Sequence, residues 1–230
     1  MVGVRALKLA IAAIAVAMAS LSANVSDTQA KERRITMESV VAQAGASSGR
    51  EYLELEERIR GGGEPSIAAL RGHLADPDPV QQLMARVLLA WMEGRTECPA
   101  ALEFLDNLAA RLAKTPVGNP PPVGVAAELD DRFGPRAAEC LALRLVKDTS
   151  WPHWRVMGVI FYLKGQKLPA TTSALIRFAA TTTNKDWQNG AIEAIMAIRD
   201  PELSRKIDLE RQRLASQRKD LPEPLRQLTP

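Results

Sequence analysis

Apolar positions along this chain recur at three- and four-residue steps, and they do so in short runs separated by proline, glycine and aspartate. Ile67, Leu70 and Leu74 share one helical face between residues 64 and 75, with Ala68 and Ala69 between them. Val80, Leu83, Val87, Leu88 and Trp91 share another from Pro79 onward. Leu102, Leu105, Leu108 and Leu112 mark a helix over 99–114, and the pattern predicts others over 123–133, 135–147, 155–163, 169–181 and 188–198. A last helix carries Leu203, Ile207, Leu209 and Leu214. Further upstream, Val40, Val41, Tyr52, Leu53, Leu55 and Ile59 predict helix over 36–60, with AGASSG as a weak point inside it and Gly61-Gly62-Gly63 as its end. No useful length of chain shows the strict alternation of a half-buried strand, so the fold class expected is all-α.

The prolines act as punctuation. In DPDPVQQLMARVLLAWM, residues 76–92, one helix ends near Ala75, Asp76 or Asp78 caps the next, and Pro79 suits a first position where no amide donor is needed. The result is a helical hairpin. Second helices begin near Val80, Val123, Trp154 and Trp187, at intervals of about 30 to 45 residues, the period of an α-solenoid. The best internal match sets WRVMGVIFYL against WQNGAIEAIM. In these stretches the chain resembles the HEAT-repeat, or armadillo-like, family. DPDPVQQLMARVLLA is similar to that family's inter-helix turn, and NKDWQNGAIEAIMAIRDPEL to a further copy, although PPPVGVAAELDDRF departs from a clean repeat. The resemblance implies a right-handed α-solenoid of about four helix pairs, with an irregular helical bundle as the alternative. It divides the chain into an N-terminal helical cap at 36–63, HEAT-like repeats at 64–218 and a disordered tail at 219–230.

The first residues follow a different rule. Arg5 and Lys8 precede an apolar run from Leu9 to Ala19, and Ala17-Met18-Ala19 has the small-residue pattern of a cleavage site, with Ala23 as a later one. Residues 1–23 are expected to be a signal peptide, since the run is short for a membrane span. Uncleaved, it would be the only membrane attachment. Residues 24–35 read as a flexible linker. This predicts a periplasmic or secreted protein. Losing Arg5 and Lys8 leaves 28 basic against 27 acidic side chains, so the pI near 9.0 exaggerates any attraction to polyanions. No concentrated basic face is evident, and nucleic acid is not an expected partner.

Candidate chemistry is sparse. Cys98 and Cys140 are the only cysteines; export permits a disulfide between them, and two buried thiols are the alternative. The histidines are His73, at a helix end beside Asp76 and Asp78, and His153. HExxH and the phosphate-cradling GxxxxGK[ST] are missing from the sequence, and the carboxylates at Glu51–Glu57 interleave with arginines as on a solvated helix face. No metal or cofactor is expected. Trp151-Pro152-His153-Trp154-Arg155 is the most unusual pentapeptide: two indoles, an imidazole and a guanidinium at one helix start can stack a ring, or can simply fill the space between repeats. With Trp187 these residues define a candidate binding edge. The proline loop at 115–124 is the second candidate surface.

The function expected from this reading is an exported, non-catalytic helical scaffold that binds a protein partner, the role HEAT resemblance implies. A glycan-binding or accessory module of a cell-wall enzyme is the first alternative, and a HEAT-like lyase the second.

Overall fold

The computed structural model describes residues 36–114 and 118–228. The leader, the linker to residue 35 and the head of the proline loop lie outside them. Residues 37 onward form one compact unit. The order is α1 (Met37–Ala46), α2 (Gly49–Gly61), α3 (Gly63–Gly72), a 3-10 turn (His73–Ala75), α4 (Pro79–Met92), α5 (Cys98–Leu112) and α6 (Pro122–Phe133). A 3-10 turn (Gly134–Ala137) leads to α7 (Ala138–Lys147) and α8 (His153–Gln166). Another (Pro169–Thr171) leads to α9 (Thr172–Thr181), α10 (Lys185–Ile198), α11 (Leu203–Ser216) and the single turn α12 (Glu223–Arg226). The fold is all-α, with no strand among the described residues. No described helix is long and apolar enough to cross a membrane.

Local boundaries follow residue chemistry. Asp78 is the N-cap of α4: its carboxylate accepts the Val80 N–H at 2.8 Å, and Pro79 takes the first helical position. Asn184 caps α10 in the same way, accepting from the Asp186 and Trp187 amides. The helix expected over 36–60 is broken at 47–48, where Gly49 takes φ +64°, a conformation that costs glycine little.

From Pro122 the helices pack as two layers. α6, α8 and α10 neighbour one another in one layer, α7, α9 and α11 in the other, and α7 meets α8 as α9 meets α10. Small residues set the approach within the first layer. A Cβ on Gly158 of α8 would lie 2.7 Å from Val125 Cγ1 of α6, and one on Gly190 of α10 would lie 3.0 Å from the Met157 terminal methyl of α8.

The N-terminal helices do not extend these layers. α4 lies across α7 and α9, with α3 and α1 packed beside it. α5 seats mainly on α7 and touches α6 through Phe104 and Phe133, ring centroids 6.1 Å apart. α7 is therefore sandwiched, and eight of its ten residues are buried, Arg144 and Lys147 among them. The hairpin at the DPDP turn exists as expected, but it forms a third layer instead of the first repeat. The tail expected to be disordered is docked: Leu221 and Leu225 are buried, and α12 packs on α9. Both leucines hide apolar surface that a free tail would leave in water.

Candidate functional site

The pentapeptide at α8 does not form an exposed edge. Trp151 and Trp154 are each 5 % exposed, and Arg155 is 8 % exposed. The Arg155 guanidinium lies 4.3 Å from the Trp151 ring centroid and donates through Nη1 to Asp106 at 2.7 Å. The reason is topological: α8 is flanked by α6, α7 and α10, so side chains at its start turn inward. Only Pro152 and His153 of the five stay exposed, and His153 Nδ1 accepts the Trp187 indole N–H at 2.9 Å. Trp187 is half-buried, stacked on Phe178 at 6.2 Å. The expectation of a row of aromatic faces along one flank is corrected accordingly.

Cys98 and Cys140 form a disulfide, Cα atoms 5.6 Å apart, which ties the start of α5 to α7. The other candidates diverge. His73 turns Nδ1 to Asp76 at 3.1 Å and Nε2 toward Glu38 at 3.3 Å, whereas Asp78 faces Arg177. Among the described residues no group of three or more His, Cys, Asp or Glu could hold a metal ion.

A cleft of about 740 Å³ lies where helix ends meet. The C-terminal ends of α1, α7, α9 and α11 converge on it, facing the starts of α4, α8 and α10. Helix C-termini carry partial negative charge and orphan carbonyls, and basic side chains answer them. Lys147 is the clearest case. It is 4 % exposed, and its ammonium donates to the carbonyls of Ala44, Gly45 and Ser47 at 2.9, 2.6 and 2.8 Å. Burial pushes its pKa down to about 8, helped by the charges of Arg177 and Arg213 and opposed by Asp78.

Arg177 sits beside it. Its Nη1 and Nη2 pair with both Asp78 oxygens at 2.8 and 2.9 Å, and its Nε bonds Glu210 at 3.0 Å. Burial works against ionisation of Asp78, but the hydrogen bonds and charge of Arg177 and the Val80 amide hold its carboxyl below the usual value. Burial likewise opposes the Arg177 charge, and Asp78 and Glu210 outweigh it, raising its pKa. Arg213 donates to the same Glu210 through Nε at 3.0 Å.

The rest of the wall is polar and aromatic. Trp151 and Trp187 both line the cleft, so two sequence candidates meet there, in an inward geometry. Thr181, Thr182 and Thr183 follow the end of α9. Thr181 donates to the Arg177 carbonyl and Thr182 accepts the Asn184 amide, whereas the hydroxyls of Thr149 and Thr183 have no partner among the described residues. Gln81 Oε1 is buried without a hydrogen bond. Lys147, Arg177 and the threonine run carried no function in the sequence reading. Their signals were Arg144 and Lys147 embedded in ALRLVK, and three hydroxyls in succession after an apolar helix.

No family model, no curated protein and no solved structure matches the chain.

Proposed function

We propose that this protein is an exported, non-catalytic helical scaffold of the cell envelope, periplasmic or secreted, and that it holds its partner in the cleft where the helix ends converge. The observation that carries this reading is that the ionisable groups on the cleft floor are already engaged. Lys147 caps three carbonyls, Arg177 is saturated by Asp78 and Glu210, and Arg213 is paired with Glu210. General acid–base or nucleophilic catalysis needs a group free to move a proton or attack, within reach of a substrate. A cleft whose ionisable groups are already engaged by hydrogen bonds is suited to binding.

Three further features support the reading. The Cys98–Cys140 bridge fits an oxidising compartment, where the leader would send the chain. The two layers from Pro122 to Ser216 are compatible with a HEAT-like right-handed solenoid segment, built of α6 to α11. Among the described residues the exposed large apolar side chains, Leu74, Val123 and Met196, sit on three separate elements and form no shared patch. The cleft is thus a better candidate than the outer face.

The test is retention of solubilised envelope components on the immobilised mature protein. Thr183→Arg places a long side chain in the cleft from an exposed loop position and is expected to abolish retention. Val123→Glu, on the exposed start of α6, is expected to leave it intact. Retention that survives Thr183→Arg would remove the cleft from the reading.

A further inference from the structure

The chemistry of the cleft wall narrows what it takes. Its volume, about 740 Å³, falls within the range of about 300–1,000 Å³ typical of small-ligand sites. Two of the four tryptophans in the chain line it. Phe178 backs Trp187 and His153 holds its indole edge, so the ring is fixed in place and its uncovered surface borders the cleft. Trp151 is clamped by Arg155 on the neighbouring wall. Around these rings stand side-chain hydroxyls and amides: Ser48, Thr149, Thr183, Gln81 and Gln217.

The cations of the cleft are engaged rather than free to grip a polyanion. Arg177 and Arg213 pair with Asp78 and Glu210, Lys147 donates to three carbonyls, and the remaining lining charges, Lys219 and Asp148, have opposite sign. An extended peptide is also poorly served. Peptides dock by adding a strand to a sheet edge or by laying an apolar face in an apolar groove. The described residues include no strand, and this wall is polar between its rings. A hexose presents the opposite combination: an apolar face of C–H groups and a rim of hydroxyls that both donate and accept. Rigid aromatic side chains match the face, and unpartnered hydroxyls and amides match the rim.

We propose that the cleft between the ends of α1, α7, α9 and α11 is a saccharide-binding site, with the half-buried Trp187 as the ring platform and Thr149 and Thr183 as the hydroxyl-reading groups. This rests on the reading of the cleft as the binding site and names the class of its occupant. The sugar is short, one to a few residues, because the cleft offers only about 740 Å³.

The experiment is titration of the mature, disulfide-bonded protein with cellotetraose and with chitotetraose, read by calorimetry and by indole fluorescence. Saturable binding of at least one of them is expected, with a change in tryptophan emission. Trp187→Ala is expected to weaken it about tenfold, the loss of a ring contact worth about 1.4 kcal/mol. Because Trp187 packs on Phe178 and its loss can loosen the fold, Thr149→Val and Thr183→Val serve as the second pair. Both positions are exposed, and each change should weaken binding about two- to tenfold with an unaltered melting temperature. Heat and emission unchanged with both saccharides, or binding indifferent to all three variants, would overturn the proposal. Cleft-dependent retention of an envelope protein, blocked by Thr183→Arg while both saccharides remain silent, would also overturn it and leave the cleft reading standing.

Discussion

Reducing the Cys98–Cys140 bridge should cost this protein a large part of its stability without altering its folded packing. The two sulfurs are buried, Cys98 at 0 % and Cys140 at 3 % exposure, so freed thiols remain in place as small apolar groups. The effect then falls on the unfolded chain. The bridged residues are 42 apart in sequence, and the chain-entropy relation gives about 4 kcal/mol for closing a loop of that size. For a chain of this length each kcal/mol shifts the melting temperature by about 2–4 °C, so the expected drop is about 8–16 °C. The assay is thermal and urea unfolding of the oxidised protein against the same protein held in a dithiol reductant, with Cys98→Ala/Cys140→Ala as a reagent-free check. The urea slope should rise as well, because an uncrosslinked denatured state exposes more surface. A drop below about 2 °C after verified reduction would refute the argument, as would free thiols titrated in the native, air-oxidised protein.

Other outcomes follow from the same geometry. Lys147 releases its proton near pH 8 in the fold and near 10.5 unfolded, so the unfolded state holds more protons between those values and stability should rise with pH across that window, by up to about 3 kcal/mol. Burial raises both Tyr52 and Tyr162, which works with the opposite sign above their ordinary value of 10.0, so urea midpoints measured from pH 7 to 11 should peak near pH 10 and the rise should vanish in Lys147→Met. Arg177→Met strands Asp78 and leaves Glu210 with Arg213 alone, and should lose about 3–5 kcal/mol; a loss under 1 kcal/mol by urea titration would mean that the cluster contributes little. Gly158→Val forces α8 against Val125 and should cost about 1–3 kcal/mol, and an unchanged melting curve would show that α6 and α8 are not in contact there.

The helices were largely legible because short-range physics sets them. Asp78 and Pro79 announce a start, three glycines announce a stop, and the apolar stripe of Val80, Leu83, Val87 and Leu88 is buried as its spacing predicts. The order of layers was less legible. Nothing in the periodicity of α4 tells whether its apolar face meets the next pair or crosses α7 and α9, since both bury the same stripe. The clue was on α7, where Arg144 and Lys147 lie inside an otherwise apolar helix. A central helix has no solvent side, so its basic residues must find partners, and they reach Glu56 of α2 and the end of α1. The pentapeptide at α8 allowed two directions, and burial favours the one that fills space between helices over the exposed edge. Indole rings suit a buried interface as well as an exposed one, and only the neighbours of α8 decide between them. The cleft itself is assembled from seven helix ends on five separated stretches of chain, which no local pattern could bring together.

The most direct test of the cleft as the recognition surface uses the four indole N–H signals of the ¹⁵N-labelled protein, followed while a clarified envelope digest is added. Binding in the cleft predicts that the Trp151 and Trp187 resonances move together and saturate, while those of Trp91 and Trp154 hold their positions. Saturable binding that moves Trp91 or Trp154 and leaves Trp151 and Trp187 still would contradict it.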